Sequence, residues 1–213
     1  MCYRTDCLRI TIMESDFYYT IETAGVAETK ERGSKFIAYA CPIKGKDEFK
    51  KCLNQSKSEH PKATHHCFAY RLGFDGNNFR VSDDGEPSGT AGRPILGQID
   101  TRELVNVAVI VVRYFGGTLL GVPGLIGAYK SAAALVLQTV PLIQKNREEE
   151  FRVEFDYTMM NEIMGVIKQN QCRITAQELQ LFCKINIAIP RNRLQQILDK
   201  FNNLKNVEVI KNG

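Results

Sequence analysis

Three carboxylates crowd into four residues at Asp83, Asp84 and Glu86, inside the turn Ser82-Asp83-Asp84-Gly85-Glu86-Pro87. Such a cluster can hold a divalent metal or divide acid and base roles between two groups. Its spacing does not match an EF-hand loop. The same residues also build a tight turn, with Asp at the start, Gly85 supplying positive φ and Pro87 stiffening the exit. Upstream lies His65-His66-Cys67. On a strand, alternation puts His65 and Cys67 on one face and His66 on the other. His65 is then a candidate fourth group for a metal held by Asp83, Asp84 and Glu86. A Cys67–His65 thiol–imidazole pair is a further option, and a packed core cysteine is the plainer one.

Downstream, Gly116, Gly117, Gly121, Gly124 and Gly127 fall within twelve residues, between an apolar run and a helix. Backbone N–H groups in such a loop can face an anion, helped by the helix dipole. Arg113 before the loop and Lys130 after it would supply formal charge, with Arg71 and Arg93 as further cations whose plain role is ion pairing. The loop lacks both the Walker Gly-Lys-Ser/Thr and the Gly-x-Gly-x-x-Gly pattern. A nucleotide triphosphatase is therefore disfavoured.

These residues need elements to hold them. Lys35–Ile43 reads as a strand, Asp47–Glu59 as a helix and Thr64–Leu72 as a strand turning back into Phe79-Arg80-Val81. A short helix is expected over Gly89–Gln98. Val105–Tyr114 is continuously apolar, as in a strand covered on both faces. A helix follows over Leu125–Val140. Residues 144–150 (Gln-Lys-Asn-Arg-Glu-Glu-Glu) read as a linker. Beyond it, strand, helix, strand, strand, helix, strand follow one another. That is the β-α-β-β-α-β order of a ferredoxin-like domain. The predicted class is α+β in two domains, 13–143 and 151–213, with residues 1–12 as an ill-ordered extension upstream of Met13.

Composition bounds the function. The 213 residues are 44% hydrophobic and 24% charged, an ordinary globular balance. No apolar run approaches the roughly 20 residues of a membrane span, and the start lacks the apolar core of a secretory signal. The expected location is cytoplasmic. Seven scattered cysteines without a Cys-x-x-Cys pair favour free thiols. Net charge is +4, with 18 basic and 15 acidic side chains up to Lys145 and 10 and 9 after it. Nucleic-acid binding would thus need a local patch. The best one surrounds the first predicted helix, at Lys44, Lys46, Lys50, Lys51, Lys57 and Lys62.

Several linked stretches resemble the IMPACT family. They are Lys30-Glu31-Arg32-Gly33-Ser34-Lys35-Phe36-Ile37, His60, Ala63 to Arg71, Asp83 to Gly92, Pro94-Ile95-Leu96 and Val111 to Gly117. The resemblance implies an N-terminal domain with the fold of the second domain of a small-subunit ribosomal protein. The small C-terminal domain carried by bacterial members resembles the last domain of elongation factor G. Both folds occur in RNA- and ribosome-associated proteins. Eukaryotic members regulate translation by binding a large activator of a stress-responsive kinase. One departure stands out: where the family commonly has Gly-Gly-Leu-Val-Arg-Ala-Tyr, this chain has Pro123-Gly124-Leu125-Ile126-Gly127-Ala128-Tyr129. A cation at the helix start is missing, which leaves Lys130 to replace it.

The leading expectation is a non-enzymatic, translation-linked regulatory protein that binds RNA or a ribosomal component. Its anion- or nucleic-acid-binding set would be Arg71, Arg113, Gly116, Gly117, Gly121, Gly124 and Lys130, with Lys46, Lys50 and Lys51 on the basic helix. The alternatives are a metal-dependent enzyme built on the acidic turn and the glycine loop, and a protein–protein adaptor. No cofactor is expected beyond the divalent metal of the enzyme alternative, and no membrane partner.

Overall fold

A computed structural model describes residues 15–74 and 77–212. The proposed extension over residues 1–12 lies outside the described residues. The chain divides into two compact units, Met1–Lys145 and Asn146–Gly213.

In the first unit, β1 (Phe17–Ile21) pairs with β7 (Leu142–Asn146) in a two-stranded sheet. The main sheet has five strands: β2 (Gly25–Glu31), β3 (Ser34–Pro42), β6 (Val107–Tyr114), β4 (His65–Arg71) and β5 (Phe79–Ser82), in that spatial order. Every neighbouring pair is antiparallel. Helix α1 (Lys46–Glu59) covers one face, where Phe49 packs with Ile37, Phe68 and Ile110. Helices α2 (Gly92–Thr101) and α3 (Gly121–Thr139) cover the other, against Phe36, Ala38, Val109 and Val111. The central strand β6 is buried from Val107 to Arg113. Its unbroken apolar run thus reflects two covered faces, here in an antiparallel sheet.

The second unit runs β8 (Glu148–Asp156), α4 (Met160–Gln169), β9 (Arg173–Glu178), β10 (Phe182–Pro190), α5 (Leu194–Asn202) and β11 (Val207–Lys211). The sheet order is β11-β8-β10-β9, all antiparallel. This is the split β-α-β arrangement of the ferredoxin-like fold. Phe151, Val153, Phe155, Ile185 and Ile187 face the helix residues Ile163 and Phe201 in one core. The opposite sheet face carries Arg152, Glu154, Lys184, Asn186 and Glu208, with the exposed Phe182 at the start of β10.

Two local readings need correction. Residues 144–150 are not an irregular linker: Gln144–Asn146 belong to β7 and Glu148–Glu150 open β8. Their polarity follows from exposure, since Lys145, Asn146, Glu148 and Glu150 are solvent-facing strand positions. Helix α3 begins at Gly121, four residues earlier than Leu125. Pro123 falls in its first turn, where no intrahelical N–H bond is lost.

Candidate functional site

The acidic turn, the start of β4 and the end of β6 meet on the sheet face that carries α2 and α3. Strand register places His65 opposite Arg113. Both point to the same face as Cys67.

Asp83 is occupied. Its Oδ2 accepts the Gly89 N–H at 2.8 Å, and its Oδ1 accepts those of Ala91 at 2.9 Å and Gly92 at 2.8 Å. The N-terminus of α2 is therefore capped by a carboxylate eight and nine residues upstream. This explains why α2 begins at Gly92 and not at Gly89. Burial works to raise the Asp83 carboxyl. The N–H groups of Gly89, Gly92 and Ala91, with nearby Arg93, outweigh it and hold the group below its ordinary range.

Asp84 has φ 42° and Gly85 φ 90°, so the turn folds back over β4. The Asp84 carboxylate accepts the backbone N–H of His66 at 2.6 Å. Its carbonyl oxygen accepts the Nδ1–H of His65 at 2.7 Å. That bond fixes the His65 tautomer and turns Nε2 toward Glu86, 3.7 Å from Oε1.

Glu86 is the centre of the site. Its side chain is 4% exposed, and its Oε1 accepts Arg113 Nη1 at 2.6 Å and the Tyr129 hydroxyl at 2.8 Å. Arg113 is itself 6% exposed at the side chain and also donates to Ser34 Oγ at 3.3 Å. Its guanidinium lies near the rings of Phe36 and Phe115, at 5.5 and 5.7 Å. Arg113 Nε is buried without a hydrogen-bond partner among the described residues. A buried pair of this kind needs each member to neutralise the other.

Cys67 lies beneath this pair. Its Sγ–H donates to the Asp83 carbonyl at 3.0 Å and sits 3.3 Å from the Tyr129 hydroxyl. Burial, with the nearby carboxylates, pushes the thiol up to about 12. Burial likewise drives the Tyr129 hydroxyl upward. Cys67 is a protonated core thiol, so the thiol–imidazole nucleophile is not supported.

The glycine loop closes the site from the other side. A Cβ on Gly116 would overlap the Gly33 carbonyl and the Ser34 nitrogen. Gly116 N also donates to Ser34 Oγ at 3.2 Å. Gly117 and Gly121 hold positive φ. The glycines thus let the loop lie on the β2–β3 turn and reverse into α3. Between the acidic turn and this loop is a cavity of about 420 Å³, lined by His65, Glu86, Pro87 and Arg113 and, from the loop and the start of α3, by Phe115, Leu119, Leu120, Gly121, Val122 and Leu125. Phe115, Leu119 and Val122 are exposed at its mouth.

The cationic set expected from sequence does not assemble. Arg71 lies at the far end of β4, opposite Val107, about 20 Å along the strand from Arg113. It pairs with Asp100, Nη2 at 2.7 Å and Nε at 2.8 Å. Arg113 is committed to Glu86. Lys130 is exposed, but α3 starts at Gly121, so Lys130 is nine residues into the helix, about 13 Å from its start. Lys46, Lys50 and Lys51 are exposed on α1, across the sheet from the cavity.

The metal set fails for a similar reason. Asp83 is saturated by N–H groups, Asp84 holds the His66 backbone and Glu86 holds Arg113. Among the described residues no group of three or more His, Cys, Asp and Glu side chains is placed to hold a metal ion.

Tyr129 was not singled out from sequence, although a signal existed. Leu125, Tyr129 and Ala133 follow the i, i+4 spacing of the buried face of α3. A phenol on such a face requires a partner. On the opposite sheet face His60 bonds two tyrosines, with Nε2 2.6 Å from the Tyr39 hydroxyl and Nδ1 3.0 Å from that of Tyr114. The Tyr39 hydroxyl donates to Glu59 at 3.0 Å. Burial first, then Glu59, pushes the Tyr39 hydroxyl up to about 12. Burial holds the His66 imidazole below its usual value.

Fold and site together define a two-unit α+β protein whose first unit stores a buried Glu–Arg–Tyr cluster under a glycine loop. Comparison with known proteins then places it. The Impact N-terminal domain matches residues 32–137, from the β2–β3 turn through most of α3. The IMPACT family member YvyE of Bacillus subtilis (strain 168) is 33% identical over 154 residues, 72% of this chain and 71% of that protein. The IMPACT family member YigZ of Escherichia coli (strain K12) is 31% identical over 185 residues, 85% of this chain and 91% of that protein. A crystal structure of a hypothetical protein superposes with a TM-score of 0.77 over 93% of this chain and 98% of that one, at 26% identity. The chain belongs to the IMPACT family. Among the described residues no helix is long and apolar enough to cross a membrane.

Proposed function

We propose that this protein is a translation-linked regulatory protein that works by binding RNA or a ribosomal component, not by catalysis. Family membership supports the regulatory part, since the resemblance carries translation regulation by eukaryotic members. The observation that carries the binding part is the lysine flank of α1. At 3.6 residues per turn, Lys46, Lys50 and Lys57 fall within about 40° of one another and span about 16 Å of helix. All three are exposed. Lys50 pairs with Asp47 at 3.3 Å, whereas Lys44, Lys46, Lys51, Lys57 and Lys62 form no ion pair among the described residues. Such a row suits sequence-independent phosphate contact.

The second unit offers no comparable lysine row: its open sheet face mixes Arg152 and Lys184 with Glu154 and Glu208. The adaptor alternative is favoured there by Leu181 and Phe182, which are 72% and 71% exposed at the start of β10.

Fluorescence anisotropy with single-stranded RNA across a salt series tests the RNA reading. The wild type should weaken with salt. Replacing Lys46, Lys50 and Lys57 together with Ala should flatten the log–log slope by about 2, at about 0.7 per phosphate contact. An unchanged slope removes α1 as the contact surface, and no binding at low salt removes the RNA reading.

A further inference from the structure

The cavity beside the buried ion pair is on the opposite sheet face from the α1 lysines, and phosphate contact makes no use of it. Its volume, about 420 Å³, falls in the range of small-molecule sites. The walls are apolar, formed by Pro87, Phe115, Leu119, Leu120, Val122 and Leu125. Polar groups converge only at the floor.

The floor has a defined hydrogen-bonding character. The Asp84 carbonyl holds the proton of His65 on Nδ1, so the neutral ring presents Nε2 as an acceptor. Glu86 Oε1, also an acceptor, lies 3.7 Å away. That separation is too long for a hydrogen bond between the two groups. Oε1 already accepts Arg113 Nη1 and the Tyr129 hydroxyl, so Nε2 is the acceptor left open, and one donor atom at about 2.9 Å would satisfy it. The formal charge of Glu86 is already matched by Arg113 at 2.6 Å. A neutral hydroxyl therefore suits this floor better than an ammonium, whose charge would stay uncompensated, or a carboxylate, which would face Glu86.

We propose that this cavity binds a small neutral molecule with an aromatic or apolar body and one hydroxyl group, the hydroxyl donating to His65 Nε2. The body would lie against Phe115 and the leucines of the loop. The Asp84 carbonyl holds the His65 ring in advance, so the acceptor is ready before the ligand arrives.

Phenol, anisole and benzoate serve as probes, followed by the His65 Cε1–H resonance in the full-length protein near neutral pH. Phenol should give a saturable shift. Anisole, which keeps the ring and lacks the donor, should bind about tenfold more weakly, the worth of one buried hydrogen bond. Benzoate should be weaker still. Two variants separate recognition from folding. Val122→Trp, at a 51% exposed position on the rim, should block phenol while leaving the melting temperature and RNA binding as in the wild type. His65→Ala should bring phenol and anisole to equal affinity. The proposal is overturned if phenol gives no saturable shift, if anisole matches phenol in the wild type, or if benzoate binds most tightly. It also fails if Val122→Trp, with its melting temperature unchanged, binds phenol as the wild type does. The RNA measurement on α1 stands or falls independently of all these results.

Discussion

Asp83→Asn removes a negative charge that organises three backbone donors without moving any other atom. In the native turn the carboxylate accepts Gly89, Ala91 and Gly92 N–H at 2.8, 2.9 and 2.8 Å. An asparagine can keep its single oxygen on Ala91 and Gly92, but its NH₂ then faces the N–H of Gly89. One charge-assisted bond is lost and two become neutral. At about 2 kcal/mol for the first and about 1 kcal/mol for each weakened bond, the gross loss is about 4 kcal/mol. The turn is only half-buried, so water recovers part of it, leaving about 3 kcal/mol. For a unit of this size that lowers the melting temperature by roughly 10 °C. Differential scanning calorimetry near neutral pH measures it. The pH dependence gives a second constraint. The Asp83 carboxyl is held below 3.8 in the folded state. Its contribution is therefore complete above 3.8 and is lost as pH falls through the lower folded value. The gap between wild type and variant should close in that acid window and stay constant above it. A neutral-pH gap below about 1 kcal/mol would refute the capping account, as would a gap that persists after the wild-type carboxyl has titrated.

Three further outcomes follow from the same geometry. Glu86→Gln leaves the Arg113 guanidinium buried and uncompensated, and should cost about 3–5 kcal/mol in urea unfolding, while adding Arg113→Met should recover part of that loss. Recovery of nothing in the double variant would mean that the two charges do not depend on each other. Tyr129→Phe deletes the 2.8 Å bond to Glu86 and should lower the urea midpoint by the equivalent of about 1–2 kcal/mol, an effect absent if the hydroxyl is only a packing group. A fragment ending at residue 146 should melt a few degrees above one ending at residue 143, because β7 needs Gln144 to Asn146 to complete its pairing with β1.

The architecture was legible wherever hydrophobic periodicity was strong. The apolar run of β6, the strand β4 and the β-α-β-β-α-β order of the second unit all appear in the structure, although β4 does not alternate in exposure but is buried on both faces from His66 to Tyr70. The short strands β1 and β7 were not visible. Each has five residues, and Gln144, Lys145 and Asn146 of β7 point to solvent, so polarity there mimicked a linker. In the site, sequence located the parts but mispaired them. Arg113 and Glu86 were assigned to an anion site and a metal site, and they instead neutralise each other. Neighbouring motifs along the chain do not reveal which charges meet across a sheet. Asp83 misled in a comparable way, because a cap reaching eight and nine residues downstream lies outside the local spacing rules for helix starts.

The register of β6 links the two faces of the first unit. Arg113 and Tyr114 are adjacent, and the period of a strand sends them to opposite sides. Arg113 meets Glu86, Ser34 and Phe36 under the glycine loop. Tyr114 meets His60 at the end of α1. A slip of one residue would take the guanidinium to the other sheet face, away from Glu86 and Ser34, and would place a phenol beside Glu86. A buried charge in the wrong core is far more costly than a misplaced apolar residue. The valines of β6 could be exchanged for one another with little penalty, so they specify the strand but not its register. Arg113 and Tyr114 specify the register, and with it the placement of the glycine loop over His65 and of the lysine flank on the other side of the sheet.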